Sequence, residues 1–313
     1  MKDKRVVFMG TPLYSVPVLK MLIEEVNVVL VVTQPDKMVG RKKVLRPCPV
    51  KEEALRNKIP VLSLEKLKDE YHKILEFEPD IIITCAYGQI LPEELIYAPE
   101  YDTVNVHASI LPKYRGGAPI HWAIINGEEK TGITIMFTDK GMDSGDIITA
   151  EEIDILKDDT YDIVSQKLSL LGASLLKKTL PSIFNKTCKR IKQDSNLKTI
   201  ANVIKREDEF IDFNQRAEDV HNKIRGLSSV PGGYTKIDGE NLKLFLSSLD
   251  DGLTLENVKP GTITRIDKNS FYVACLDKEI KILRVQVAGK KIMDVKDYLN
   301  GIDKNRLIGK ELG

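Results

Sequence analysis

Residues 105–146 read NVHASILPKYRGGAPIHWAIINGEEKTGITIMFTDKGMDSGD, and the rest of the chain is read outward from them. Asn105 and His107 follow Tyr101-Asp102-Thr103-Val104, a short β-type run, so the pair is expected where a strand ends and a loop begins. Ligands of open α/β sheets favour that place. Ser109-Ile110-Leu111-Pro112 reads as a turn. Pro119 then opens a short helix through Asn126 that Gly127 stops, proline in the first turn and glycine past the end being the expected polarity. A strand over 132–138 leads into the loop Gly141-Met142-Asp143-Ser144-Gly145-Asp146, so two neighbouring strand ends are expected to gather Asn105, His107 and Asp143.

Upstream, strand and helix signals alternate. Arg5 to Met9 reads as a strand, running through Gly10-Thr11-Pro12-Leu13-Tyr14-Ser15 into a helix near Pro17 with an apolar stripe of Val18, Leu19, Leu22 and Ile23. Of a G-x-G-x-x-G turn only Gly10 is present, which speaks against a dinucleotide site. Val28 to Val32 is apolar throughout, as in parallel sheets covered on both faces. Lys51 to Lys58 looks helical, Val61-Leu62 reads as a short strand, and Ser63 is expected to cap a helix through Leu75. After Pro79, residues 80–86 read as a central strand ending in Tyr87-Gly88-Gln89-Ile90-Leu91-Pro92. Ile90 and Leu91 suit the wall of an apolar pocket, or packing under the next helix.

Downstream, Ile147 to Ile155 reads as a strand, and Thr160 as the cap of a long helix carrying Val164, Leu168, Leu171 and Leu175, which Pro181 should kink or end. Residues 188–206 carry cations without an apolar period and read as a basic linker between a first domain at 1–187 and a second at 207–313. The second domain differs in character. A helix from Ala217 to Leu227 precedes short β segments separated by Pro231-Gly232-Gly233, Asp238-Gly239, Lys268-Asn269 and Asp277-Lys278, the pattern of hairpins in a small barrel.

With 47 basic and 46 acidic residues the chain is not a uniformly basic nucleic-acid binder, so any such contact has to come from local clusters. One lies between Gln34 and Pro47, where Lys37, Arg41, Lys42, Lys43 and Arg46 stand against Asp36 alone, with Gly40 to keep the loop mobile. A solvated surface loop is the plain alternative. The four cysteines are scattered with no C-x-x-C pair, which suits a reducing compartment; the cytoplasm is expected. An opening strand leaves no room for a signal peptide, and no apolar run approaches a membrane span.

An Asn, a His and an Asp at a sheet's end, with no Ser or Cys nucleophile beside them, fit direct transfer of an acyl-like group better than covalent catalysis. Asn105 would donate to an oxyanion, His107 would donate a second bond or shuttle a proton, and Asp143 would fix the imidazole or accept a proton. Taken singly, His107 also fits a structural role and Asp143 a turn. His107, His121 and Asp143 can be imagined as two histidines and a carboxylate, but no H-E-x-x-H pairing supports a metal; none is expected, and His121 is read as packing beside Trp122.

The motifs V-N-V-H-A-S-I-L-P-K-Y-R-G-G-A-P, T-G-I-T-I-M and G-M-D-S-G-D-I together resemble the 10-formyltetrahydrofolate-dependent formyltransferases, in which Asn, His and Asp form the catalytic trio. Within that family F-M-G-T-P, Q-P-D, G-R-K-K, A-Y-G-Q-I-L-P, V-P-G-G-Y-T, G-K-K-I-M and L-N-G extend the likeness over nearly the whole chain to the branch acting on methionyl-tRNA. The resemblance implies a Rossmann-like catalytic domain with a mostly parallel sheet, then a smaller OB-like barrel. It implies catalytic Asn105, His107 and Asp143, and folate held by Ser109, Ile110, Leu111 and Pro112 together with Tyr87, Gly88, Ile90 and Leu91. Lys37, Arg41, Lys42, Lys43 and Arg46 would meet the acceptor end of initiator tRNA. The implied reaction moves a formyl group from 10-formyltetrahydrofolate to the α-amino group of methionyl initiator tRNA, in a monomer. A formyltransferase acting on a small amine, such as glycinamide ribonucleotide or an amino sugar nucleotide, would share the trio without needing the basic loop. An RNA-binding protein on a decayed scaffold is the third reading, against which all three trio positions are filled. Leu13, Ser228-Ser229-Val230 and residues 198–202 depart from the usual pattern and leave the trio untouched.

Overall fold

The computed structural model describes residues 1–39, 44–255 and 257–313. The chain forms two compact units that interleave in sequence: one holds Met1–Pro119, Thr131–Ile153 and Ser165–Asn202, the other Ile120–Lys130, Asp154–Val164 and Val203–Gly313.

The strands of the first unit are β1 (Arg5–Gly10), β2 (Asn27–Thr33), β3 (Lys37–Val39), β4 (Val44–Arg46), β5 (Val61–Ser63), β6 (Ile81–Cys85), β7 (Thr103–His107), β8 (Lys130–Phe137) and β9 (Ile147–Asp154). Seven of them make one sheet in the order β5-β2-β1-β6-β7-β8-β9. It is parallel from β5 to β7, and β8 runs antiparallel to β7. The mostly parallel sheet expected from the alternating signals is therefore present. Its central strands are apolar on both faces because both are covered, and every residue of β6 is buried. The chain moves outward from β1 to β2 and β5, then returns to add β6 and β7 on the other side. The loops after β1 and β6 thus flank the point where the strand order reverses, the usual ligand crevice of such sheets.

Three local expectations give way to tertiary context. Ser63 ends β5 instead of capping a helix; the helical residues that follow, Leu67–Glu70 and His72–Leu75, start beyond it. Pro181 lies inside the helix Tyr161–Phe184 and does not end it. Hydroxyl groups in that turn bond its carbonyls, Thr179 Oγ1 to Leu175 O at 2.6 Å and Ser182 Oγ to Thr179 O at 2.8 Å, and the ladder resumes with Asn185 N to Pro181 O. The basic stretch, expected as a loop, is flanked by β3 and β4, which pair antiparallel with Lys37 opposite Arg46 and Met38 opposite Leu45.

The second unit carries the helix Ala217–Leu227 and β10 (Gly233–Ile237), β11 (Glu240–Ser248), β12 (Ile263–Ile266), β13 (Phe271–Ala274), β14 (Glu279–Val287) and β15 (Met293–Asp294). The sheet order is β10-β11-β14-β13-β12, all antiparallel, with β15 on β14, consistent with a small barrel-like domain. The Asp238-Gly239 turn has both residues at positive φ, 52° and 82°, as a two-residue hairpin requires. Ile224 and Leu227 from the helix, and Leu244, Phe271, Val273, Ile282 and Val285 from the strands, make one core. No helix among the described residues is long and apolar enough to cross a membrane.

His221 is buried in this unit, with its Nε2 3.1 Å from the Lys157 carbonyl oxygen and its Nδ1 2.9 Å from Ser247 Oγ. Burial holds its pKa below the ordinary 6.5. The unfolded chain therefore takes up a proton at a pH where the folded one does not, so stability is full above about pH 6.5 and declines as pH falls below it. A melting series from about pH 8 to about pH 5 is expected to show this decline, reduced in His221→Gln. An equal slope in that variant would remove His221 as its source.

Candidate active site

β7 supplies the first two residues of the expected trio. Val104 and Val106 bury one face of the strand, which turns Asn105 and His107 to the other. Parallel pairing sets Thr84 of β6 beside Asn105, and Thr84 Oγ1 donates to Asn105 Oδ1 at 2.9 Å. That bond fixes the orientation of the amide, so its NH2 group points to Asp143, with Nδ2 3.4 Å from Asp143 Oδ1. Asn105 accordingly keeps an amide hydrogen beyond the one aimed at Asp143.

His107 is 6 % exposed. Its Nε2 lies 3.0 Å from the carbonyl oxygen of Tyr114, an acceptor only, which places a proton on Nε2 and leaves Nδ1 facing Asp143 Oδ1 at 3.6 Å. The ring is thus held by a backbone carbonyl on one side and faces a carboxylate on the other.

Asp143 comes from the loop after β8. Its φ is +48°, a conformation that Asp tolerates better than most residues. Asp143 Oδ2 accepts from Gly116 N at 2.8 Å, while Oδ1 faces Asn105 and His107. Ser144 Oγ donates to both oxygens of Asp139 at 2.8 and 2.9 Å, closing the loop on itself. Gly145 is required there, since a Cβ would lie 1.9 Å from Phe137 O.

The structure therefore brings Asn105, His107 and Asp143 together, as the spacing anticipates. It also adds groups that sequence reading passes over. Thr84, Tyr114 and Gly116 hold the trio directly. Gln193 lies in the stretch noted only for charge, yet its Nε2 donates to the carbonyls of Asp143 and Gly145 at 2.9 and 2.8 Å, and its Oε1 accepts from Arg115 Nε and Nη2 at 3.0 and 2.7 Å. Nothing local marks Gln193, because its partners lie 48 to 78 residues away.

The expected folate residues occupy the loops after β6 and β7, which are adjacent strands. Ser109 is fully buried and committed to its own turn, with Oγ donating to Lys113 O at 2.6 Å and its carbonyl accepting from Thr134 Oγ1 at 2.7 Å. The same Thr134 oxygen accepts from Leu111 N at 3.1 Å, so Ser109-Ile110-Leu111-Pro112 is pinned as a shaped turn. Tyr87 is buried in the core with Leu64, Leu67 and Leu95, and Leu91 packs against the same cluster. The Tyr87 carbonyl accepts from Gln34 Nε2 at 3.1 Å and Thr11 Oγ1 at 3.3 Å, which ties together the loops after β1, β2 and β6. Gly88 has φ +90°, and Ile90 beyond it is 89 % exposed. Leu13, in the loop after β1, is 72 % exposed. Apolar side chains thus stand in water at the carboxyl ends of the central strands.

Of the cationic residues, Lys37 and Arg46 are exposed at paired positions of the β3–β4 ladder, while Arg41, Lys42 and Lys43 lie outside the described residues. Asp36, the one acid of that stretch, bonds Lys51 through both oxygens at 2.9 Å. Met38, Val44 and Leu45 are exposed alongside the cations.

His121 stacks on Tyr161 with ring centroids 3.9 Å apart, and its Nε2 lies 3.1 Å from the Val230 carbonyl. Among the described residues no group of three His, Cys, Asp or Glu side chains is arranged to hold a metal.

The sequence matches the formyl transferase family over residues 4–180 and the formyl transferase C-terminal domain over 203–303. A methionyl-tRNA formyltransferase of Staphylococcus epidermidis is 50 % identical over 311 residues, covering 98 % of this chain and 99 % of that one. That of Staphylococcus aureus strain MW2 is 48 % identical over the same shares. Among solved structures, an N-formyltransferase from Helicobacter canadensis in complex with folinic acid and dTDP-3-aminofucose superposes with a TM-score of 0.64 at 21 % identity, covering 89 % of this chain and 98 % of that one, a likeness of fold. With both domains matched and about half of all residues shared along nearly the full length, the chain belongs to the formyl transferase family, in its methionyl-tRNA formyltransferase branch.

Proposed function

We propose that this chain transfers the formyl group of 10-formyltetrahydrofolate to the α-amino group of methionyl initiator tRNA, with Asn105, His107 and Asp143 as the catalytic residues. The observation that carries this reading is the trio itself: an oriented amide donor and a buried imidazole that share one carboxylate oxygen, at the ligand-binding end of the sheet. This donor and acceptor set suits attack by an amine on a carbonyl carbon. The exposed apolar groups nearby, Leu13 and Ile90, suit a flat heteroaromatic ring, and the turn Ser109 to Pro112 would border it together with Tyr87, Gly88 and Leu91. When bound, the folate supplies an electrophilic formyl carbon.

Asn105 offers its remaining amide hydrogen to the oxygen that gains negative charge. Asp143, already anchored by Gly116 N, lies beside the His107 ring, and the two together receive the amine's proton at the Nδ1 and Oδ1 positions that face each other and return a proton to folate N10 as the C–N10 bond breaks and tetrahydrofolate leaves. His107 thereby moves from an oxyanion donor towards proton transfer, because its Nε2 proton is engaged by the Tyr114 carbonyl. The chain would act as a monomer. Residues 1–187 would hold the chemistry, 188–206 connect, and 207–313 present the barrel-like surface to tRNA. The four cysteines are free, which suits the reducing cytoplasm.

Transfer of labelled formyl from 10-formyltetrahydrofolate to methionyl initiator tRNA tests the reading. Glycinamide ribonucleotide and an amino sugar nucleotide serve as competing acceptors. Preference for a small amine would overturn it in favour of a small-molecule formyltransferase.

Lys37, Arg41, Lys42, Lys43 and Arg46 would contact the tRNA backbone. Neutralising Arg41, Lys42 and Lys43 is expected to weaken tRNA binding and to lower the slope of log Kd against log salt by about one for each phosphate no longer neutralised, with folate binding unchanged. An unaltered salt slope would remove this basic stretch from the tRNA site.

A further inference from the structure

The geometry points to residues 193–201 as a positioning strap for the catalytic trio, with Gln193 and Thr199 acting through Asp143 and His107. This rests on the reading of the trio given above and adds residues that do not themselves meet substrate.

The loop 112–118 supplies two of the groups outside the trio that hold it, the Tyr114 carbonyl for His107 and the Gly116 N–H for Asp143. Residues 199–201 lie along that loop, joined to it by an isolated parallel bridge between Arg115 and Ile200. Arg115 N donates to Thr199 O at 2.9 Å, Ala201 N to Arg115 O at 2.7 Å, and Ala118 N to Ala201 O at 3.1 Å. Thr199 Oγ1 accepts from Tyr114 N at 2.8 Å, which sets the peptide unit next to the carbonyl that meets His107. The approach is so close that a Cβ on Gly116 would lie 2.6 Å from Ala201 O.

Gln193 joins this loop to the Asp143 loop. Its oxygen accepts from the Arg115 guanidinium, and its NH2 spans the carbonyls of Asp143 and Gly145. Asp143 sits at φ +48°, a conformation sparsely populated by non-glycine residues, so restraints from its surroundings help to hold it. Gln193 on its carbonyl and Gly116 on its carboxylate provide two such restraints. A carboxamide is needed because one end has to accept from a guanidinium while the other donates to carbonyls. Glutamate would keep the first interaction and turn the second into repulsion.

Displacement of a reacting group by about 1 Å costs on the order of 100-fold in rate. Gln193→Ala and Gln193→Glu are therefore each expected to lower kcat by about 10- to 100-fold, with KM for tRNA and for folate changed by less than about threefold. Thr199→Val, which keeps the shape and removes the acceptor of Tyr114 N–H, should lower kcat by a smaller factor. These variants are measured beside Asp143→Asn and the double variant Gln193→Ala/Asp143→Asn in the full-length protein, with melting curves for each. Because Gln193 acts through Asp143, its replacement should change the residual rate of Asp143→Asn by less than about threefold.

Loss of turnover in Asp143→Asn with normal turnover in Gln193→Ala and Gln193→Glu overturns the strap and leaves the trio standing. Fully multiplicative losses in the double variant, or a raised KM with normal kcat, also overturn it. Normal turnover in Asp143→Asn instead sinks the underlying reading of the trio. Should Gln193→Ala fail to fold, Gln193→Glu and Thr199→Val carry the same comparison.

Discussion

Asn105→Ala is expected to lower the turnover of formyl transfer by about two to three orders of magnitude, the loss of about 3 to 4 kcal/mol that follows removal of one oxyanion donor. Asn105 is placed for that role by its neighbours. Thr84 Oγ1 occupies its carbonyl oxygen, which excludes the flipped amide and presents hydrogens to the site. Removing the side chain also leaves Thr84 without that acceptor, so a modest fall in Tm is expected alongside the kinetic loss. The kinetic effect should reside in kcat, because a developing oxyanion is bound only in the transition state. Asn105→Asp should not rescue turnover, since it sets a second carboxylate within reach of Asp143 and removes the donor. Near-normal kcat for Asn105→Ala would exclude the amide as an oxyanion donor.

Gly116→Ala is the second large effect. Gly116 has φ +121°, and a Cβ there would meet Ala201 O at 2.6 Å, a backbone oxygen with little room to yield. Backbone strain of this kind costs on the order of 1 to 3 kcal/mol before the clash is added. A fall in stability of at least about 2 kcal/mol is expected, visible as a Tm lower by several degrees. Activity should fall further than stability alone explains, by about 100-fold in kcat, because the Gly116 N–H that anchors Asp143 Oδ2 moves with the strained peptide. Measurements of kcat well below Tm separate the two effects. Wild-type kcat in a folded Gly116→Ala variant would show that the anchor on Asp143 is dispensable.

The local signals that proved readable were those of short range. β6 and the helix Ala217–Leu227 stand where their apolar runs, prolines and glycines put them, and the hairpin turn at Asp238-Gly239 follows from the need for two residues at positive φ. Ser63 misled because pairing with β2 draws it into β5, and Pro181 because the helical ladder resumes beyond it with Asn185 N to Pro181 O. Ile90 and Leu91 read equally well as pocket or packing residues from composition; Leu91 packs against the cluster of Leu64, Leu67, Tyr87 and Leu95, while Ile90 beside it is left in water.

By itself the sequence determined the alternation of strand and helix, the position of Asn105 and His107 at a strand end, and the loop that bears Asp143, since each depends on residues within a few positions of one another. Only the tertiary structure decided which way the Asn105 amide faces, which nitrogen of His107 meets Asp143, and that Gln193 and Thr199 grip the loops around them. Those features are hydrogen bonds between groups 7 to 85 residues apart. Their partners become neighbours only once parallel pairing has set β6 beside β7 and the chain has returned past the long helix to lie against the loop at 112–118. A local pattern records what a residue prefers next to its chain neighbours, and a site assembled from distant loops leaves no such record.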